Sequence, residues 1–185
     1  MKKYLILSTI IALAVFCGYA KSQPKKEIKQ ELFQVKLFHI SRSINKNIVV
    51  YEVNVSTKVK DMPSFCMKEP IKVYWILYEK KGEIQGLSAL EAQMAYGFKV
   101  DIAKPDLVEF SMKPLPDRKI QVKFAKDASG YRPVAEAKVN NEDCYLTEVF
   151  ISAKKAVPLP KVNYIDLKGI SIKTGRELSE RVTKK

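Results

Sequence analysis

Apolar and polar side chains alternate along most of the chain from Leu32 onward. The clearest stretch is KIQVKF, in which Ile120, Val122 and Phe124 are separated by Lys and Gln. Because successive side chains of a strand point to opposite faces of a sheet, a period of two predicts half-buried β-strands. Nine segments show this pattern: 33–39, 49–56, 71–77, 106–112, 119–124, 131–139, 144–153, 162–174 and 178–183.

One segment, GLSALEAQMAYGF, breaks the alternation and predicts a short helix over residues 89–96. Ser88 with Glu91 three residues later is a capping-box pattern, in which the two side chains satisfy free backbone donors of the first turn. Leu90 and Met94 are four residues apart and fall on one face of that helix. The segment is therefore expected to form an amphipathic helix of about two turns.

Glycine, proline and asparagine mark the turns between the predicted elements. Gly97 stands where a left-handed residue commonly ends a helix. The other turn signals are Lys81-Gly82, Pro114 to Asp117, Ser129-Gly130, Asn140-Asn141, Pro158 to Pro160 and Thr174-Gly175. Such residues favour the backbone conformations that tight turns require.

Many short strands with one helix indicate an all-β, mainly antiparallel fold. We expect a small barrel or a two-sheet sandwich of about eight to nine strands, with the short helix near 89–96. No apolar run is long enough for the helices of βαβ units. The sequence predicts a single β-domain over 32–185, preceded by a flexible, charged lead-in over 23–31.

Residues 1–22 have the pattern of a secretory signal peptide. Lys2 and Lys3 precede an apolar run over 4–17, and small residues follow that run. The run is shorter than a membrane-spanning helix requires. We therefore predict export to the periplasm or secretion, with no transmembrane span in the mature chain.

Two cleavage points satisfy the preference for small residues, one after Ala20 and one after Ser22. We favour the second, which leaves residue 23 as the new N-terminus. A lipid anchor on Cys17 is the alternative form of export, but the bulky Phe16 before it does not fit that kind of site.

Positive charge dominates the composition, because 33 Lys and Arg oppose 20 Asp and Glu, a net charge of +13. Cleavage after residue 22 removes three lysines, so the mature chain carries +13 − 3 = +10. Export argues against nucleic acid as a partner and favours anionic envelope material, such as lipid headgroups or acidic glycans. The alternative is a lysine-rich solvated surface that serves solubility, which the scattered placement of the lysines favours.

Two cysteines, Cys66 and Cys144, remain after cleavage. In an oxidising compartment an even pair suggests a disulfide, which would close a long loop and stabilise the fold by roughly 4 kcal/mol. Two buried, unpaired thiols fit the sequence equally well, because the separation of the two residues in space cannot be read from it.

The stretch LFHISRSINKNIVVYEVNV, residues 37–55, holds the single histidine of the chain in a polar cluster. Alternation places His39 on the inward side of its strand, where an imidazole can orient a ligand or move a proton near neutral pH. A hydrogen bond to a core neighbour is the simpler role. Arg42 is either a solvated charge in the loop or a guanidinium that binds a carboxylate or phosphate through two hydrogen bonds. Asn45 and Asn47 suit the backbone geometry of a hairpin turn.

Aromatic residues supply a second group of candidates. Trp75 alternates with the apolar residues of its strand, which predicts core packing. Tyr74 and Tyr78 point the other way, where they would line a groove for a sugar or lipid or, more simply, cover the sheet beneath the helix. Tyr96 ends the predicted helix.

Metal and cofactor sites find no support in the sequence. One histidine and two distant cysteines give none of the usual zinc spacings, and the carboxylates are not grouped as in a calcium loop. Glycine-rich phosphate loops and a GxSxG nucleophile motif are also missing. We expect no cofactor.

Three stretches together resemble an uncharacterised family of small exported bacterial proteins. The pattern is LFHI-x-R-S-x-N-x-N-x-V-x-Y, a later YW, an LSxLE-xxxAYG helix and a C-terminal TG turn, and it covers roughly residues 35–183. The resemblance implies an envelope-located bacterial protein and carries no established activity. It also favours His39, Arg42 and Tyr96 as members of one local cluster.

The leading hypothesis is a non-enzymatic exported β-domain that binds a small ligand or an anionic envelope component. Its candidate ligand-binding cluster is His39, Arg42, Asn47, Tyr74 and Tyr96. A hydrolase-type enzyme with His39 as general base is the alternative. A third hypothesis is a structural protein that only packs against other envelope proteins.

Overall fold

The computed structural model describes residues 31–57, 63–154, 156 and 160–183. The predicted signal peptide, its cleavage points, Cys17 and the lead-in up to residue 30 lie outside the described residues. The described chain forms twelve strands, a 3-10 helix at Tyr78–Lys80 and one α-helix, α1, at Ala89–Met94. The strands are β1 (Glu31–Arg42), β2 (Asn45–Thr57), β3 (Ser64–Phe65), β4 (Ile71–Leu77), β5 (Glu83–Gly86), β6 (Phe98–Ala103), β7 (Leu107–Met112), β8 (Leu115–Asp127), β9 (Gly130–Val139), β10 (Glu142–Lys154), β11 (Lys161–Ser171) and β12 (Glu177–Thr183).

Nine strands follow one another along a curled sheet that has the form of a half-barrel. Their order is β5-β4-β2-β1-β10-β9-β8-β7-β6. Outside this path, β3 pairs with β2, and β11 lies between β10 and β12. The described strand pairs are antiparallel except for β1 with β10, which run parallel. The predicted all-β, mainly antiparallel class is confirmed.

β10 is the junction of this sheet. Residues 144–154 pair with β11 along one edge, whereas the other edge is shared between β9, through 142–145, and β1, through 148–151. The sheet therefore divides at β10 into two wings, one leading to β5 and the other to β6. Each wing supplies one side of the core.

The core lies where the two wings face each other. Phe38 of β1 stacks on Tyr51 of β2 with 4.7 Å between ring centroids, and both rings are nearly parallel to Phe110 of β7 on the other wing. The Tyr51 hydroxyl donates a hydrogen bond to the carbonyl of Tyr96 at 2.6 Å. Burial raises the pKa of Tyr51 above its ordinary value, so this phenol remains a neutral donor.

A shift in the pairing register of β1 changes which of its residues face the core. Alternation holds as far as Val35, but the register between β1 and β2 shifts between Lys36 and Phe38. Beyond the shift, Phe38 and Ile40 are buried, and His39 lies on the opposite, outer face. The prediction that His39 faces inward is therefore wrong, because one extra residue exchanges the two faces of a strand.

The structure contains all nine predicted strands and three more, β3, β5 and β6. β3 has only two residues, and β5 is fully exposed, so neither carries an alternating pattern. Alternation is visible in β6, but the helical pattern that precedes it obscures its start. The total of twelve strands exceeds the predicted eight to nine for these reasons.

The predicted helix is present with its capping box and ends two residues early, at Met94. Gly97 does not adopt the predicted left-handed conformation. Among the glycines that the structure describes, positive φ is found at Gly82, Gly130 and Gly175. Asn140 and Asn141 both have positive φ, at 52° and 63°, in the turn between β9 and β10. The prediction of a turn at Asn140-Asn141 is confirmed. At Gly97 the lack of a side chain is required instead by close packing, because a Cβ there would overlap the backbone of Ala92.

Candidate functional site

The turn between β1 and β2 is tied to the end of β10 by one serine. The Ser43 amide donates to the carbonyl of Ile151 at 3.1 Å, and its hydroxyl donates to the carbonyl of Ala153 at 3.0 Å. The same hydroxyl accepts the amide of Ala153 at 2.9 Å. Ser43 thereby continues the parallel pairing of β1 with β10 beyond the end of β1.

Arg42, which precedes this turn, points to the inner side of the sheet and is held entirely by neutral groups. Its Nη1 donates to the Tyr96 hydroxyl at 3.0 Å, and its Nη2 donates to Asn45 Oδ1 at 2.9 Å. The guanidinium carbon lies 4.3 Å from the centroid of the Trp75 ring, within cation–π range. We call Arg42, Asn45, Trp75 and Tyr96 the Arg42 latch.

The two aromatic rings of the latch pack edge to face, with centroids 5.0 Å apart and an interplanar angle of 78°. Trp75 is 4% exposed and Tyr96 7% exposed, so both rings are buried. Burial raises the pKa of Tyr96, although the Arg42 charge acts in the opposite direction. The latch is a packed cluster that joins β1, β2, β4 and the segment before β6.

The charge of Arg42 has no acidic partner within reach among the described residues. Its Nε is buried without a hydrogen-bond partner among the same residues. The flat guanidinium is instead stabilised by aromatic faces, an arrangement that arginine tolerates because it is weakly hydrated. The latch therefore contributes a positive charge that the sheet does not neutralise.

The side chain of Asn47 connects the 3-10 helix Tyr78–Lys80 to β2 through two hydrogen bonds. Its Nδ2 donates to Glu79 Oε2, and its Oδ1 accepts the Glu79 amide, both at 3.2 Å. Asn45 Oδ1 accepts the amide of Asn47 at 3.2 Å as well as the Arg42 guanidinium. Neither asparagine has positive φ, so neither adopts a left-handed turn conformation. Asn45 instead supports the turn through its side chain, which accepts the amide two residues on as in an Asx turn, whereas Asn47 acts through its contacts with Glu79.

Lysines surround the latch on its solvent side. Lys46 lies between the two asparagines of β2, and the contact of Asn47 with Glu79 brings it beside Lys80 and Lys81. All three lysines are exposed. This contact joins a hairpin turn to a 3-10 helix 32 residues further along the chain.

Three more lysines reach the same end of the molecule. The bond from Ser43 to Ala153 places Lys154 beside the β1–β2 turn, and Lys154 lies directly opposite Lys161 in the β10–β11 pairing. The Lys113 amide donates to the carbonyl of Gly97, next to the latch, at 2.9 Å. We define the lysine end as the six exposed residues Lys46, Lys80, Lys81, Lys113, Lys154 and Lys161.

The lysine end carries an excess of positive charge. None of its six members forms a salt bridge with a carboxylate in the described part of the chain. The carboxylates close to these residues along the chain or across the strand pairs are Glu79, Glu83, Glu91 and Asp117. Together with Arg42, the local balance is 6 + 1 − 4 = +3.

The outer face of the sheet holds the remaining candidates in one row. Successive cross-strand partners form it, and such partners lie on the same face. The row is Gly86, Tyr74, Val50, His39, Glu148, Lys168 and Ser179, across β5, β4, β2, β1, β10, β11 and β12. His39 and Tyr74 thus share the outer face, on the far side of the sheet from Arg42 and Tyr96.

Glu148 is the centre of the polar half of this row. It accepts hydrogen bonds from the Ser41 hydroxyl and, at 2.9 Å, from the Lys168 ammonium. Burial alone would raise the pKa of Glu148, but these two donors hold it below its usual 4.5. Burial lowers the pKa of His39 below 6.5, and the charges of Lys36 and Lys168 lower it further, against the effect of Glu148. His39 is therefore neutral at pH 7.

Tyr74, at the other half of the row, donates its hydroxyl proton to Glu52 Oε1 at 2.6 Å. Burial and this carboxylate raise the pKa of Tyr74 to about 12. Lys72 lies 5.6 Å from the centroid of the Tyr74 ring. Tyr74 is therefore partly buried on the outer face of the sheet, between Glu52 and Lys72.

A shallow depression of about 590 Å³ adjoins the polar half of the row. It lies over β10, β11 and β12 and is lined by residues that include Glu148, Lys168, Glu177 and Ser179. The five predicted ligand-binding residues do not line it. They divide instead between the inner latch region (Arg42, Asn47 and Tyr96) and the outer row (His39 and Tyr74).

Cys66 and Cys144 are both free thiols, so of the two arrangements that the sequence left open the structure has the unbridged one. Cys144 is buried on β10 against Gly169 of β11. Burial raises the pKa of Cys144 to about 11, which keeps this thiol protonated. Cys66 follows β3, and its amide donates to the carbonyl of Asn54 in β2.

Neither a metal site nor a membrane-spanning helix is found in the described part of the chain. No three or more His, Cys, Asp or Glu side chains of these residues are grouped as ligands for an ion. No helix among them has the length and apolar character needed to cross a bilayer.

Comparison with known families gives one match. Residues 38–181 match the family described as Domain of unknown function (DUF4833). The chain belongs to the DUF4833 family. No curated protein and no solved structure matches it. The predicted resemblance to an uncharacterised domain family is therefore confirmed.

The latch gives a physical meaning to the motif that marks this DUF4833 chain. In R-S-x-N-x-N, Arg42 binds the aromatic pair, Ser43 binds the end of β10, Asn45 orients Arg42, and Asn47 holds Glu79. No pattern in the sequence indicated that Glu79 and Glu148 take part in these contacts. Glu79 lies 32 residues from its partner Asn47, and Glu148 lies 107 residues from its partner Ser41. In this DUF4833 domain the motif residues assemble one end of the sheet, and they bring the lysines together.

Proposed function

We propose that this DUF4833 chain is an exported β-domain that binds an anionic component of the cell envelope through the lysine end. The observation that carries the proposal is the convergence of six exposed lysines, without acidic partners among the described residues, around the Arg42 latch. Each lysine near an anionic surface contributes about 1 kcal/mol to attraction at moderate ionic strength.

The arrangement of the lysines supports binding rather than solubility alone. Along the sequence they are widely separated except for the adjacent Lys80 and Lys81, and the fold gathers them from five places: β2, the end of the 3-10 helix, the β7–β8 turn, the end of β10 and the start of β11. Elsewhere in the described chain five lysines form salt bridges, among them Lys123 with Glu136 at 2.8 Å and Lys168 with Glu148 at 2.9 Å. The other described lysines outside the lysine end, which do not, are Lys36, Lys68, Lys72, Lys104, Lys126 and Lys173. An unpaired cluster attracts anions over about 8 Å at physiological ionic strength.

Export is the second part of the proposal and rests on the basic, apolar and small-residue pattern of residues 1–22. Mass spectrometry of the chain recovered from the periplasmic or secreted fraction of a bacterial host tests it. We expect a chain that begins at residue 23, or at residue 21 if cleavage follows Ala20. An intact N-terminus on chain confined to the cytoplasm would contradict export.

Binding to a soluble polyanion and to anionic vesicles tests the lysine end. The test variant is Lys80→Gln/Lys81→Gln/Lys161→Gln. The control is Lys68→Gln/Lys104→Gln/Lys173→Gln, which removes the same charge. The control lysines are exposed and follow β3, β6 and β11, away from the lysine end. The probes are heparin and vesicles that contain phosphatidylglycerol.

We expect the test variant to bind both probes about a hundredfold more weakly, because three lysines contribute about 3 kcal/mol. The control variant should bind within about threefold of the unmodified chain, and added salt should weaken all binding. Equal losses in the two variants would show that net charge alone acts. Failure of the unmodified chain to bind either probe would also overturn the proposal.

A second candidate function is the binding of a small polar ligand in the outer depression of about 590 Å³. Lys168 and Glu177 offer both signs of charge there, and Ile170 adds an apolar side chain. Native mass spectrometry of chain purified from its host would detect a retained ligand. We expect Ile170→Trp, which fills the depression, to abolish the retained mass; an unchanged mass would place the ligand elsewhere.

A further inference from the structure

We infer that the anionic component is the surface of a lipid bilayer, into which apolar side chains of residues 78–94 insert. This inference rests on the proposed function and names its partner. A soluble acidic glycan would engage the lysines alone, whereas a bilayer also accepts apolar side chains beside them.

Four large apolar side chains of residues 78–94 are exposed to solvent. Tyr78 is 54% exposed, Ile84 67%, Leu90 51% and Met94 56%. They come from the 3-10 helix, β5 and α1, which follow one another along the chain. Large apolar side chains grouped in one short segment differ from single scattered ones, which are normal on any surface.

The short helix α1 has no buried residue at all. Leu90 and Met94 are four residues apart on it, so they form one apolar face that the protein leaves uncovered. Most helical stability in proteins comes from packing an apolar face, and a six-residue helix is too short to persist by propensity alone. The capping box from Ser88 and Glu91 holds its first turn.

This apolar segment is continuous with the lysine end. Tyr78 belongs to the same 3-10 helix as Lys80, with Lys81 next in the chain. At its other end, α1 leads directly to Tyr96, whose hydroxyl is bound by Arg42 of the latch. Apolar side chains flanked by lysines are the composition of segments that lie in the interface of anionic membranes.

The charge of this end argues against a second copy of the chain as the occupant of the apolar segment. Two copies that met through these residues would bring two lysine ends together, each with a local balance of +3. Like charges that face each other oppose association, whereas phosphate headgroups complement the lysines. The bilayer surface therefore fits both the charge and the apolar side chains.

The test replaces the apolar face of α1 without changing charge. The variant Leu90→Gln/Met94→Gln keeps residues that favour helices. The matched control is Leu32→Gln/Met67→Gln, which removes the same two residue types where they are 57% and 59% exposed, on β1 and after β3. Sedimentation with phosphatidylglycerol vesicles, affinity for heparin, thermal melting and analytical ultracentrifugation are measured for each.

We expect Leu90→Gln/Met94→Gln to partition into anionic vesicles at least about tenfold more weakly, with heparin affinity unchanged. The control should match the unmodified chain on both probes. A reporter variant, Leu90→Trp, should show a shift of fluorescence to shorter wavelength with these vesicles and none with heparin.

Two results would overturn the inference and leave the proposed function standing. One is unchanged vesicle partitioning in Leu90→Gln/Met94→Gln while the lysine variant loses it. The other is a dimer that the same double substitution dissociates without effect on vesicles, which would identify a second copy as the occupant. Loss of heparin binding only in the lysine variant supports the proposed function independently of the bilayer.

Discussion

Arg42 stacks its guanidinium carbon 4.3 Å from the ring centroid of Trp75, and the two residues come from strands on either side of β2. The Tyr96 hydroxyl completes this arrangement by accepting a hydrogen bond from Arg42. Because both rings are buried, the contact is part of the packing of the domain. Arg42 therefore acts first on the fold and only indirectly on the surrounding lysines.

We predict that Arg42→Ala destabilises the domain by about 2–3 kcal/mol, because it removes a desolvated cation–π contact and two hydrogen bonds. Arg42→Lys should recover less than half of the loss, since an ammonium lacks the planar fork. Chemical denaturation measures both. Lys46→Ala, four residues along the chain and exposed, is the control and should change stability by less than about 0.5 kcal/mol. A similarly small loss of stability in Arg42→Ala would show that the Arg42 latch does not stabilise the fold.

The close approach of Gly97 to α1 gives a second prediction. A Cβ at this position would overlap the carbonyl oxygen of Ala92, although the backbone φ of Gly97 is not positive. Gly97→Ala should cost about 3 kcal/mol through forced displacement of the helix. Gly86→Ala, where a Cβ meets nothing within 4 Å, should leave the melting temperature within a few degrees. Equal effects of the two substitutions would contradict the packing explanation.

The third prediction concerns the hydrogen bonds by which Asn47 holds the 3-10 helix. Removal of its two hydrogen bonds to Glu79 in Asn47→Ala should release the 3-10 helix from β2 and cost about 1–2 kcal/mol. Hydrogen exchange of residues 78–80 should accelerate, because their opening becomes easier. Asn163→Ala, on an exposed residue of β11, provides the control. Unchanged exchange at 78–80 would show that Asn47 does not hold this turn.

The lowered pKa of His39 predicts a pH dependence of stability. Folding favours the neutral imidazole, so the unfolded chain binds more protons once the pH falls toward the ordinary pKa of 6.5. The free energy of unfolding should therefore decrease as the pH falls from about 7.5 through 6.5 and then level off below the folded-state pKa. Denaturation series at several pH values measure the slope.

His39→Gln should remove most of that slope while the chain remains folded at pH 7. Glu148 does not interfere, since its pKa lies below 4.5 and its stabilising contribution is lost only in more acidic solution. A slope that persists unchanged in His39→Gln would assign the effect to other groups. The same variant tests the hydrolase alternative, which requires loss of any turnover when His39 is replaced.

Alternation was enough to predict most of the strands, because a half-buried sheet imposes a period of two on its sequence. It also placed Trp75 in the core, where the residue is 4% exposed. The same rule failed at His39, since the register shift after Lys36 leaves no signature in the sequence. A short exposed strand such as β5 is missed for a different reason, because it has no buried face and so shows no alternating pattern.

The candidate site was predicted only in part. The motif pointed correctly to Arg42 and Tyr96 as neighbours, which the 3.0 Å hydrogen bond between them shows. The gathering of the lysines was hidden, because it depends on the pairing of β1 with β10 and on the contact of Asn47 with Glu79. Contacts between such distant segments follow from topology, and alternation within one strand contains no information about them.

Protection of individual lysines from acetylation, read by mass spectrometry with and without phosphatidylglycerol vesicles, tests the central claim most directly. We expect the six lysines of the lysine end to become protected together, namely Lys46, Lys80, Lys81, Lys113, Lys154 and Lys161, while Lys68, Lys104 and Lys173 react as fast as in free solution. Uniform protection of all nine lysines, or protection confined to the second group, would contradict it.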